Sequence, residues 1–267
     1  MSASAPIREA GLPPLACHVE GSGPSLVLCH GGMGSHTHWQ RNLAALSARF
    51  RVRAFDLPGF GDSPDVPDHV DPEGYLDWVG AEAAALPGPI HLVGFSFGGA
   101  VAAAVAARLG PRIAALTLLG PGGFGNPVGR SISLQSMPRG GSEAQRRKVI
   151  AHNLSRWMLA RTPDPDDPVV DIQQRNIARA RFDSRRISLQ DNLPGNLARL
   201  ACPVQIIWGA DDPLAYPSIE ERQQRCRAAR RDIAFHTIPG AGHWVQYEAA
   251  TAVNALLISF HAKENGA

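Results

Sequence analysis

Cysteine is scarce in this 267-residue chain: four in all, at Cys17, Cys29, Cys202 and Cys226, far apart and without a C-x-x-C pair. That spacing supports neither a zinc site nor a disulfide framework, and it fits a reducing cytoplasm. Charge of one sign is lacking too. The 26 basic and 24 acidic side chains leave a net +2, which offers no footprint for nucleic acid, and the 44% hydrophobic content excludes a disordered chain. No stretch approaches the roughly eighteen apolar residues of a membrane span. The opening "MSASAPIREAG" has no apolar leader segment. Repeats and low-complexity tracts are missing as well. These absences leave a folded cytoplasmic protein with no nucleic-acid or membrane partner, long enough for one large α/β domain or a domain with an insertion.

Short apolar runs recur at 26–29, 52–55, 90–93, 115–119, 204–208 and 233–238, mostly with helix-like segments between them. Such alternation predicts a mostly parallel sheet flanked by crossover helices. From Asn126 to about Ala198 the rhythm breaks. Strand-like runs vanish, and helical texture appears around 143–160 and 169–180, separated by the breaker "RTPDPDDP". The reading is an α/β core formed by residues 1–125 and 199–267, with a helical cap inserted at 126–198. The cap carries a net +5 and the remainder a net −3.

One serine stands in an unusual setting. "HLVGFSFGGAVAAAVAA", from His91 to Ala107, places Ser96 after a buried strand and before an alanine-rich helix, with Gly94 and Gly98 around it. This is a G-x-S-x-G elbow, which strains the serine and lifts its hydroxyl above the sheet edge at a helix N-terminus. A serine hydroxyl needs a base, and the base works best beside a carboxylate that fixes its tautomer. Asp211 and Asp212 follow the strand-like "VQIIWG", and His243 lies in the glycine-rich loop of "IPGAGHWVQYE". The order Ser, Asp, His is the one expected for this elbow.

Other polar groups have plainer readings. His36 and His38 in "SHTHW" resemble a metal pair but lack a third ligand at suitable spacing, so no metal and no cofactor is expected. "DLPGFGDS" lacks the phosphate-binding lysine pattern and reads as a turn beside the active site. His91 reads as the start of a strand, and His18, His69, His152, His236 and His261 read as surface or packing residues. Most cap arginines read as solvated helix faces.

With "LCHGG", "DLPGFGDS", "GFSFGG", "WGADDPL" and "GAGHW" in this order, the chain resembles the α/β-hydrolase superfamily over nearly its whole length. The resemblance implies a Ser96, Asp212, His243 triad, with Asp211 as the neighbouring alternative carboxylate. It also implies an oxyanion hole formed by the amides of Gly32 and Phe97, with Met33 the adjacent alternative. His30 would support the loop rather than perform chemistry. "LLGPGGFGNP" and "GHWVQYE" are similar to segments of the meta-cleavage product hydrolases, which cut a carbon–carbon bond in 2-hydroxy-6-oxo-dienoates. Trp244 follows the histidine as in that family, and Arg175 in "DIQQRNIARA" stands in a setting comparable to its cap arginine. Gln40 and Arg41 stand where the family has an asparagine. The implied ligand is a small anionic substrate touching Met33, Arg175 and Trp244, and a homodimer is compatible with the sequence. An esterase or lactonase would use the same triad. A catalytically silent binding protein on this scaffold would lack a triad member, and none is missing.

Overall fold

A computed structural model describes residues 12–126 and 132–263. The N-terminal stretch read above as lacking a leader and residues 127–131 of the expected cap lie outside the described residues. Seven strands form one sheet: β1 (Cys17–Glu20), β2 (Ser25–Cys29), β3 (Arg51–Phe55), β4 (Ile90–Phe95), β5 (Ile113–Leu119), β6 (Val204–Gly209) and β7 (Ala234–Ile238). Their order is β1-β3-β2-β4-β5-β6-β7, parallel throughout except that β1 pairs antiparallel with β3. Every residue of β2, β4 and β6 is buried. Strands covered on both faces read as continuous apolar runs, which is why these were visible in the sequence. β1 was not, because it is a four-residue edge strand of alternating, half-exposed residues.

The helices are α1 (Leu43–Ser47), α2 (Pro72–Ala84), α3 (Phe97–Leu109), α4 (Glu143–Trp157), α5 (Pro168–Ala178), α6 (Arg185–Ser188), α7 (Leu193–Ala198), α8 (Ile219–Ala229), α9 (Val245–Glu248) and α10 (Ala250–Lys263). Alanine dominates α3, where Ala100, Ala102, Ala103, Ala104 and Ala106 are all buried. Small side chains let this helix lie close to the sheet at little entropic cost. The starts of several other helices are chemically marked. Asp71 accepts from the Gly74 amide with Pro72 at the first turn of α2, Ser142 and Gln145 form a capping box on α4, and Asp167 with Pro168 opens α5. Asp167 of "RTPDPDDP" thus caps the second helix, the first having ended at Trp157. Among the described residues, no helix is long and apolar enough to cross a membrane.

Helices α4 to α7 fill the connection between β5 and β6. Ile150, Leu154, Val169, Val170 and Ile172 of this insertion join the core cluster of Trp39, Leu46, Trp244 and Leu257 on one side of the sheet. The insertion's positive charge goes largely into ion pairs. Arg146 meets Glu143, Arg147 meets Asp171 and Arg161 meets Asp167, while Arg179 and Arg181 reach Asp62 and Asp65 on the loop after β3. Only the pairs of Arg179 and Arg181 cross from the insertion to core carboxylates; the other three lie within the insertion. Each exposed pair contributes only about 0–1 kcal/mol.

Candidate active site

The strand order reverses between β2 and β4, so the chain leaves their carboxyl ends in neighbouring loops, where open parallel sheets hold their ligands. Cys29 is in register with Gly94, which sets the loop after β2 beside the turn after β4. Ser96 occupies that turn with φ +54, one of two non-glycine residues with positive φ among those described; the other is Met33 at φ +50. The strain is held from several directions. Ser96 donates its amide to the Leu119 carbonyl at 2.9 Å and accepts the Gly122 amide at 2.9 Å. The elbow glycines are required by contact rather than by φ. A Cβ on Gly98 would stand 2.3 Å from the His30 carbonyl oxygen and 2.4 Å from that of Cys29, distances no side chain occupies.

Asp212 and His243 come together at the ends of β6 and β7. His243 Nδ1 lies 2.8 Å from Asp212 Oδ2, with both side chains almost fully buried. Asp212 Oδ1 accepts the Leu214 amide at 2.7 Å, so the carboxylate is held at both oxygens and presents one of them to the imidazole. Asp211, its neighbour, is exposed and lines a different surface cleft with Arg41 and Tyr247. Gly120, with φ +46, makes the pairing possible: a Cβ there would lie 3.0 Å from His243 Nδ1 and 3.2 Å from Asp212 Oδ2. The second nitrogen, His243 Nε2, is buried without a hydrogen-bond partner among the described residues. His243 and Ser96 line the same cavity. No hydrogen bond joins them in this structure, and such contacts commonly tighten only around substrate.

The loop after β2 is held by two histidines in opposite tautomers. His30 Nε2 accepts the Leu57 amide at 2.9 Å, which leaves its Nδ1–H to donate to the Gly31 carbonyl at 2.7 Å. His38 Nδ1 accepts the Gly31 amide at 3.3 Å. Burial pushes His30 down to about 4 and His38 well below the usual histidine range, so both stay neutral. Gly32 follows at once; a Cβ on it would stand 2.5 Å from Ser184 Oγ and 3.9 Å from the Phe97 Cβ. Gly32 thus lies beside Phe97, the first residue of α3, where amides lack helical partners. The α5 side chains Gln173 and Asn176 touch the same loop. Gln173 donates to the Met33 carbonyl at 3.4 Å, and Asn176 Oδ1 accepts from Ser35 and Thr37 at 2.8 and 3.0 Å.

His36, the other histidine of "SHTHW", turns away to Asp56. Its amide and Nδ1 approach Asp56 Oδ1 at 2.7 and 3.0 Å, and the Asp62 amide donates to Oδ2 at 2.9 Å. Although burial opposes it, these hydrogen bonds bring Asp56 down to about 2. The bond to Asp56 raises His36 above its ordinary value. "DLPGFGDS" is therefore a turn organised around a buried carboxylate. No group of three or more His, Cys, Asp or Glu able to hold a metal occurs among the described residues.

The cavity shared by Ser96 and His243 has a volume of about 120 Å³ and is completed by the loop 120–125, Ser188, Leu189, Leu214 and Arg222. None of the three residues expected to touch substrate lines it. Arg175 is exposed, on the face of α5 that borders a separate cleft with His36, Asp56 and Arg179. Met33 lines an apolar chamber of about 160 Å³ with Ile150, Leu154 and Trp157. Trp244 is fully buried, with its ring 4.5 Å from that of His38 and its Nε1 donating to the His38 carbonyl. Arg222, on α8, went unnoticed in the sequence. Nothing in "ERQQRC" distinguishes it from a solvated arginine, and its placement depends on how α8 packs beside the loop after β5.

Comparison with known proteins agrees with this fold. The model described as "Alpha/beta hydrolase family" matches residues 26–256. This chain belongs to that family. It is a hydrolytic enzyme with a mostly parallel sheet flanked by helices. The hydrolase is 27% identical to a 2-hydroxy-6-oxononadienedioate/2-hydroxy-6-oxononatrienedioate hydrolase of Comamonas testosteroni over 96% of this chain and 94% of the other. It is also 31% identical to a pimeloyl-[acyl-carrier protein] methyl ester esterase of Aeromonas hydrophila over 85% and 93%. Among solved structures, the meta-cleavage product hydrolase from Pseudomonas fluorescens IP01 superposes with a TM-score of 0.69 at 22% identity, covering 93% and 94% of the two chains. At that identity the likeness speaks for the fold alone.

Proposed function

We propose that this enzyme is a serine-type hydrolase with Ser96 as nucleophile, His243 as general base and acid, and Asp212 as the carboxylate that orients it. It acts on a ring-fission product of the 2-hydroxy-6-oxo-dienoate kind. The observation that carries the triad is the Asp212 to His243 contact at 2.8 Å combined with the cavity that His243 shares with Ser96. Asp212 accepts Nδ1–H, so Nε2 carries the lone pair that takes the Ser96 proton. Attack on the substrate carbonyl gives a tetrahedral oxyanion, held by the amides of Gly32 and Phe97. Collapse expels the leaving group, to which His243 returns the proton. Water then releases the acyl group from Ser96 by the same steps in reverse. For a dienoate, ketonisation of the dienol precedes the attack, so that the departing carbon leaves as a stabilised carbanion equivalent; water activated by His243 can replace Ser96 as the attacking group.

Similarity over almost the whole chain to the Comamonas testosteroni enzyme supports carbon–carbon cleavage. The exposed placement of Arg175 favours a second reading, hydrolysis of a carboxylic ester, since it removes the cap cation on which dienoate recognition was expected to rest. A panel of purified enzyme against a yellow ring-fission dienoate, p-nitrophenyl acetate and a lactone separates the two. The first reading predicts kcat/KM for the dienoate at least about a hundredfold above that for the ester, some 2.7 kcal/mol of differential transition-state binding. The reverse ranking establishes the esterase.

A further inference from the structure

His243 stands between two ties to the insertion. On one side the Trp244 amide donates to the Met158 carbonyl at 2.7 Å. On the other, the Gly242 amide donates to Glu248 Oε2 at 2.7 Å, and the Ala160 amide donates to the same carboxylate, at 3.0 Å to Oε2 and 3.1 Å to Oε1. Met158 and Ala160 follow closely on α4, and Glu248 is the last residue of α9, the short helix after Trp244. The two backbones are in close contact. A Cβ on Gly242 would stand 2.7 Å from the Ala160 nitrogen and 2.8 Å from the Leu159 carbonyl carbon. Of the two ties, only the one at Gly242 runs through a side chain. Glu248 lines a surface cleft with Arg41, Arg161 and Asp211, and that cleft shares no lining residue with the cavity of Ser96 and His243.

We infer that Glu248 is a positioning residue for the proposed general base: it stands outside the cavity and acts through Gly242, fixing the loop from which His243 presents Nε2 to Ser96. The inference rests on the reading of Ser96 as nucleophile and His243 as base but is indifferent to whether the scissile bond is C–C or C–O. The bond to Asp212 constrains the imidazole at Nδ1 alone. The direction of Nε2 depends also on where the His243 Cα sits, and the loop that carries it, "GAGH", has little stiffness of its own because two of its residues are glycine. Stiffness comes instead from the neighbouring amides, of which Gly242 is held by a charge-assisted bond, stronger than a neutral one. Misplacing a reacting group by about 1 Å costs on the order of 100-fold in rate.

The test measures phosphonylation of Ser96 by a p-nitrophenyl alkylphosphonate: the serine oxygen bonds to phosphorus, its proton passes to His243, and p-nitrophenolate departs. Intact mass and peptide mapping locate the label, and saturation kinetics separate the rate constant of the bound reagent from its affinity. Glu248→Ala should lower the rate constant about 10- to 100-fold and leave affinity within about twofold. Glu248→Gln should stay within about threefold of wild type, because its amide oxygen can take the place of Oε2, which accepts both amides. His243→Ala should lose more than either, and adding Glu248→Ala to it should cost nothing further, as expected when one group acts through the other. An unchanged rate constant in folded Glu248→Ala, equal losses in the alanine and glutamine variants, or a loss that multiplies that of His243→Ala overturns the inference, while labelling of the wild type upholds Ser96. No label at Ser96 in the wild type overturns the nucleophile assignment and the inference with it. Should Glu248→Ala not fold, Glu248→Asp decides: it keeps the charge, withdraws both oxygens by one methylene, and should lose rate as the alanine variant does.

Discussion

The indole N–H of Trp244 donates to the backbone carbonyl of His38 at 3.0 Å, and the imidazole of His38 accepts the Gly31 amide at 3.3 Å. One buried histidine thus ties the residue after the proposed general base to the loop that carries the proposed oxyanion amides. His38→Leu should lower kcat by about tenfold with little change in KM, less than the 10²–10³ lost with an oxyanion donor itself. His38→Gln, which keeps an acceptor, should retain more activity. Equal loss in both variants, with KM rising, would make His38 a packing residue.

Asp212 and Asp211 should separate cleanly. Replacing the buried carboxylate in Asp212→Asn leaves the imidazole without its tautomer-fixing acceptor and should reduce kcat by on the order of 10³–10⁴. Asp211 is exposed, so Asp211→Asn should stay within about twofold. Steady-state kinetics on the two variants decides, and an inverted result exchanges their roles.

Gly120→Ala places a methyl group 3.0 Å from His243 Nδ1 at a backbone φ of +46. Strain of this kind costs roughly 1–3 kcal/mol. The variant should lose stability in urea and activity together, because the displaced groups are Asp212 and His243. Full kcat in a destabilised variant would show that the pair tolerates displacement.

Stability should fall as the solution is acidified below neutrality. Burial lowers His30 to about 4, and His38 and His261 lie well below their ordinary value. In the unfolded chain these groups titrate near 6.5, so between that pH and their folded values the unfolded state binds more protons. Their contribution is complete above about 6.5 and is lost as pH falls toward about 4; for His30 alone this is on the order of 3 kcal/mol. His36 acts with the opposite sign, since Asp56 raises it, but as a single modest term. Urea midpoints at pH 8 and pH 5 should differ, with pH 8 higher; a higher midpoint at pH 5 would contradict the neutral assignment of the buried histidines.

Because the proposed chemistry is complete with the triad and two backbone amides, activity should survive dialysis against EDTA. Loss of activity restored by zinc would point back to His36 and His38.

Much of the fold was legible because the buried parallel strands are short uninterrupted apolar runs and the helix starts carry Asp, Ser and Pro at capping positions. The edge strand 17–20 carries no such signal, and α6 and α7, despite Ser184 and Pro194 at their starts, are too short at four and six residues to show a helical period. The positions of the proposed triad residues Ser96, Asp212 and His243 at strand ends were legible for a different reason: each follows an apolar run in a turn that contains or adjoins glycine. The substrate-facing side chains were not. Arg175, Met33 and Trp244 face elsewhere, because the direction of a helical side chain depends on how the insertion packs. Net charge misled in the same way: two of the insertion's arginines, Arg179 and Arg181, are used against Asp62 and Asp65 of the core.

Whether Ser96 and His243 act as one chemical unit is decided most directly by a double-variant cycle, with kcat measured on the best substrate of the panel. Ser96→Ala and His243→Ala should each lower kcat by several orders of magnitude, and the combined variant should be little worse than either, as expected when two groups serve one proton transfer. A double variant whose loss equals the product of the two single losses, or a Ser96→Ala enzyme that keeps more than about a tenth of its kcat, would contradict the assignment.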